Sequence, residues 1–121
     1  MPTEFYIEDG DYLVEESTGG ITAHFKDEDD QSFTPVTATW TLTDESGSVI
    51  NSRENIVIAS LATNNTIVLF GDDLAFQSGE SGNAVSRKLT IKGTYNSSDF
   101  GNGKPFNDQL TFPIFNLTAV P

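Results

Sequence analysis

The chain contains no cysteine, so neither a disulfide nor a thiolate metal site can form, and stability must come from packing. Histidine is nearly absent as well. His24 is the single one, and metal-assisted hydrolysis or a nucleophile–base triad normally needs more. It also alternates outward from Ile21, Ala23 and Phe25, as a surface side chain does. Basic residues are scarce: six Lys and Arg stand against eighteen Asp and Glu, for a net charge of -12. A chain without Lys and Arg clusters is a poor partner for free nucleic acid or an anionic membrane surface. No run approaches the roughly 18 apolar residues of a membrane span. The opening MPTEFYIEDGDYLVEES has neither the basic nor the apolar region of a secretion signal. The expected location is therefore the cytoplasm in which the chain is made, or an assembly built there.

What charge there is lies unevenly. Residues 1–30 hold ten acids (Glu4, Glu8, Asp9, Asp11, Glu15, Glu16, Asp27, Glu28, Asp29, Asp30) against Lys26, a balance of -9. The remainder holds eight acids against five bases, a balance of -3. Two expectations follow: residues 1–17 form an extended acidic N-terminal arm, and residues 18–121 form one domain. At 121 residues, with nine Phe, three Tyr and one Trp, the chain has apolar material for a single core.

Helical spacing is hard to find, whereas two-residue alternation recurs, so the expected class is all-β. In VTATWTLT, Val36, Ala38, Trp40 and Leu42 share one face while Thr37, Thr39, Thr41 and Thr43 share the other. Ile21, Ala23 and Phe25 repeat the pattern, as do Leu89, Ile91, Gly93 and Tyr95. Residues 55–60, 65–70 and 109–120 are apolar on both faces for part of their length, which implies outer surfaces such as Val68 with Phe70, or Phe115 with Leu117, that need cover. Turn clusters at 26–32, 43–48, 62–65, 77–83 and 97–105 separate the runs. Pro113, which cannot donate to a ladder, marks an edge position or a bulge. The expected architecture is an antiparallel β-sandwich of about seven or eight strands. A strand carrying Trp40, with Tyr95 some 55 residues on, matches an Ig-like layout in which Phe25 and Ile91 fill the space of the missing disulfide.

Chemistry is harder to locate. Acidic turns could converge on Ca²⁺, with Asp27, Asp29, Asp30, Asp72 and Asp73 as candidate donors, although none fits an EF-hand loop and solvated turns are the prevailing reading. Eighteen acids supply some carboxylate pair at a glycosidase-like distance by chance alone, so that pattern carries almost no specificity. Six aromatics, Phe5, Tyr6, Tyr12, Phe33, Phe100 and Phe106, lie in the arm or in loops, where they suit protein contact or, as an alternative, sugar stacking. No catalytic residue and no cofactor is expected.

The segments ATWTLTDESGSVINSREN, IVLFGDDLAF (67–76) and FPIFNLTAV (112–120) resemble small Ig-like structural proteins encoded among the virion genes of tailed bacteriophages. That resemblance implies a non-enzymatic virion component, a capsid decoration or a neck or tail accessory, present in several symmetric copies and partnered by other virion proteins. The expected interface residues are Phe5, Tyr6 and Tyr12, with Arg87, Lys88 and Lys92 as counter-charges on a neighbour. A glycan- or Ca²⁺-binding adhesion module is the alternative.

Overall fold

In the computed structural model, which describes residues 3–7 and 12–119, the chain is all-β and builds two sheets around one core. The strands are β1 (Glu4–Ile7), β2 (Leu13–Val14), β3 (Thr18–His24), β4 (Thr37–Thr43), β5 (Ile56–Val57), β6 (Asn64–Phe70), β7 (Ala84–Ser97) and β8 (Gly101–Phe115). Sheet A has the order β1-β3-β6, and sheet B the order β2-β8-β7-β4-β5. One 3-10 turn, Gly71–Leu74, follows β6.

The alternation in the sequence is what sorts residues inward. Ile21, Ala23 and Phe25 are fully buried, and Ala38, Trp40 and Leu42 line the inner side of β4 against Gly93, Ile91 and Leu89 of β7. Asn65, Ile67 and Leu69 complete the inner side of β6, while its other residues stay exposed. Gly93 has to be glycine: a Cβ there would be pressed into the carbonyl oxygen of Thr37 and would stand 2.9 Å from Phe106 Cε1. Burying a Leu, Ile or Phe side chain stabilises by about 1.5–3 kcal/mol, so these inner rows dominate the fold's stability.

Several expectations change in three dimensions. The segment 1–17, expected as an arm, supplies a strand to each sheet: β1 pairs with β3 from Glu4↔His24 to Ile7↔Ile21, and β2 pairs with the end of β8. Glu8, Asp9 and Asp11 lie outside the described residues. The β2–β8 pairing is parallel, so the sheets are not wholly antiparallel. Val36 precedes its strand and is 54% exposed rather than inward. Of residues 55–60, only Ile56–Val57 is strand.

The cluster at 97–105 is not all turn. The chain reverses at residues 98–100 and pairs again from Gly101, closing a long β7–β8 hairpin. Phe106, expected in a loop, lies on β8, whereas Phe33 does lie in a loop. Both pack with Phe25 and Tyr95 at ring separations of 4.8 to 6.1 Å. Pro113 sits opposite Ser86 on a strand whose far side meets only the two residues of β2, an edge position for most of its length.

Candidate interaction surface

Sheet A turns one face to the core and the other outward. Its register sets Glu4, His24 and Asn64 in one outer row, and Tyr6, Thr22 and Thr66 in the next. Gly20 with Val68, and Thr18 with Phe70, extend it. Tyr6, Val68 and Phe70 are each about half exposed, and Gly20 leaves the surface beside Val68 low. The result is an apolar stripe bordered by hydroxyls, with Thr22 and Thr66 hydrogen-bonded at 2.8 Å. Charge is confined to its ends. Glu4 pairs with Lys26 at 3.1 Å, and the Arg53 guanidinium stands 5.9 Å from the Phe70 ring centre. His24 holds the far row in place through Asn64 Oδ1 and Ser32 Oγ.

The outer face of sheet B has a different composition. Val57, Thr39, Lys92 and Asn107 form one row, with Val57 strongly exposed at its β5 end. Thr41, Thr90 and Gln109 form the next, with Gln109 Nε2 donating to Thr90 Oγ1 at 2.9 Å. A shallow depression of about 280 Å³ lies there, lined by Thr41, Thr43, Glu54, Thr90, Lys92 and Gln109 among others.

The expected interface residues are scattered by this fold. Tyr6 is on the outer face of sheet A, but Phe5, its neighbour, points inward and packs on the core. Tyr12 stands edge-on to Phe115 at 5.2 Å. Lys88 and Lys92 lie on the outer face of sheet B, Lys92 exposed and Lys88 half-buried. Arg87 is the correction: it is completely buried, and its guanidinium donates to both carboxylate oxygens of Glu80 and to the carbonyls of Ala75 and Ser86. It is a fastener of the 75–80 loop to β7, not a counter-charge for a neighbour. Alternation alone points to this, because Arg87 shares its parity with Leu89 and Ile91.

The candidate Ca²⁺ donors are divided between opposite ends of sheet A, since Asp27, Asp29 and Asp30 follow β3 whereas Asp72 and Asp73 follow β6. Antiparallel strands of seven residues separate such ends by about 20 Å. Among the described residues no group of three or more His, Asp or Glu is arranged to hold an ion. Asp27 Oδ1 instead accepts from the N–H groups of Asp29 and Gln31, closing its own turn. Asp30 faces Lys26 at 3.6 Å. Asp73 is buried, and its oxygens accept from Arg53 Nε at 2.7 Å, Asn51 Nδ2 at 2.8 Å and the Phe70 N–H at 3.2 Å.

These bonds set the titration of the acids. Burial pushes the Asp73 carboxyl up, but the bonds from Arg53, Asn51 and Phe70 outweigh it, so its pKa lies below the ordinary value. Glu80 is lowered by its bonds from Arg87. Asp44 is lowered by the Ser46 hydroxyl and by turn N–H groups. Asp29 goes the other way, raised by a carboxyl–carboxyl contact with Asp99. Glu28 is tied down from the other hairpin by the hydroxyls of Ser97 and Tyr95. The turns thus spend most of their carboxylates on holding backbone and hairpins together.

No family model, curated protein or solved structure matches this chain.

Proposed function

We propose that the chain is a non-enzymatic structural component of a tailed-phage virion, an Ig-like sandwich that takes its place among other virion proteins through protein–protein contacts. The observation that carries the reading is the outer face of sheet A. Three large side chains, Tyr6, Val68 and Phe70, are half exposed together on one small sheet. The other strongly exposed apolar residues, Val36, Val57, Phe100 and Leu117, lie in loops or at the sheet B edge of a chain rich in carboxylates. An apolar stripe of that kind is costly to leave in water and typically marks a contact with another chain. The two deeply buried charges support it indirectly, because Arg87 and Asp73 are both engaged in bonds that hold loops to strands. The likeness of residues 38–55, 67–76 and 112–120 to phage sandwich proteins supplies the setting.

The test is incorporation into purified particles. A Tyr6→Ser, Val68→Ser, Phe70→Ser triple variant should keep the melting temperature of the parent and be lost from particles. Incorporation at the parent level would contradict the reading.

A further inference from the structure

The free edges of the two sheets are not built alike. β8 carries Lys104, Pro105, Asp108 and Pro113, charges and prolines of the kind that keep an exposed edge from pairing with other chains. β5 is two residues long, and β1 is four and carries Glu4. β6, Asn64–Phe70, has seven residues, NNTIVLF, with no charge and no proline.

The direction of its backbone bonds follows from its neighbours. Phe25 N–H donates to Thr63 O, and Gly71 N–H donates to Ser17 O, both in the same register as the β3–β6 ladder. Hydrogen-bonded pairs alternate along an antiparallel ladder. Asn65, Ile67 and Leu69 therefore bond to β3, and the N–H and C=O groups of Thr66 and Val68 point away from it, to the open side. Among the described residues those groups have no partner, whereas the outward Phe70 N–H is taken by Asp73.

We propose that β6 pairs edge to edge with β6 of a second copy, antiparallel across a two-fold axis near Ile67, which joins two three-stranded sheets into one of six. The inference rests on reading sheet A as the contact surface. A second copy suits this edge because the pairing is self-complementary: Thr66 of each chain meets Val68 of the other, and Asn64 meets Phe70. It suits the charge too. Chains of net charge -12 repel wherever their acids meet, and β6 lets two copies approach along a strand that has none. In that register the exposed Val68 of the two copies lie diagonally across the seam and each Phe70 lies toward one end of it, so the apolar stripes of both sheets join into one face.

Sedimentation of the full chain over a wide concentration range tests this, with Thr66→Pro and Val68→Lys as variants. Proline at 66 removes an outward N–H and no β3 bond, and lysine at 68 sets two ammonium groups in the joined face. The parent should sediment at twice its 13.1 kDa mass at high concentration. Each variant should remain monomeric while melting within a few degrees of the parent. A parent that is monomeric throughout, or a dimer untouched by both variants, would overturn the proposal. If the dimer forms as described but the parent is absent from purified particles, the virion reading fails and the edge pairing stands.

Discussion

Sheets A and B divide the work of the molecule between them. Sheet B contains the long β7–β8 hairpin, the glycine that lets β4 and β7 close over Phe106, and the buried Arg87. Its outer surface is mostly threonine, lysine and amide, with the exposed Val57 alone at the β5 edge. Sheet A has strands of only four to seven residues, yet carries Tyr6, Val68 and Phe70 on the outside and an unblunted edge. Both sheets feed the core through their inner rows, so the difference lies in the outer faces and edges. On the proposed reading the outer face and edge of sheet A serve contact, and substitutions there should separate from substitutions in the core.

The strongest way to break that division is inside sheet B. Arg87→Ala leaves Glu80 without its bidentate partner and opens a cavity beside the core, so it should lower unfolding free energy by about 3–5 kcal/mol in denaturant titration. Against a typical total of about 5–15 kcal/mol that is a large share. Gly93→Ala comes next, at about 1–3 kcal/mol, because the added methyl group collides with the Thr37 carbonyl.

Acid should act through the fasteners that join loops to strands. Asp73 and Glu80 have folded-state pKa values below their unfolded ones. Their contribution is fully present above the unfolded values, about pH 4, and is lost as pH falls through the folded values. Denaturation midpoints should stay level from neutral pH down to about 5 and drop below about 4, with a shallower drop in Asp73→Asn.

On the outer face of sheet A the effect on stability should nearly vanish. Phe70→Ser alone should change unfolding free energy by no more than about 0.5 kcal/mol, as for other exposed positions, while weakening association. The smallest effect is expected at Asp29→Asn. That change relieves the contact with Asp99 and should raise the melting temperature slightly at neutral pH, a difference that disappears once both carboxyls are protonated.

Much of the inner architecture was legible in the sequence, because strand alternation is a local property. Ile21, Ala23 and Phe25, or Ala38, Trp40 and Leu42, declare their face within a few residues. Arg87 shows where a local rule was overruled: its charge suggested surface, but parity put it inward, and a loop partner at Glu80 makes that burial tolerable. The proposed contact surface was less legible. Val68 and Phe70 can be read as an outward pair, yet Tyr6 joins them only because β1 and β6 flank β3, a pairing no short segment encodes. Asp73 likewise takes Asn51 and Arg53 from some twenty residues away. Long-range strand order decides such neighbours, and a single sequence carries no direct record of it.

Amide hydrogen exchange of the free chain and of the assembled chain tests the division of labour most directly. Thr66 and Val68, whose N–H groups face the open edge, should exchange quickly in the free chain and become protected on assembly. Ile67 and Leu69 should be slow in both states, and the outer rows of sheet B unchanged. Protection that appears around Thr90 and Lys92 instead, with Thr66 and Val68 still exchanging quickly, would contradict the account.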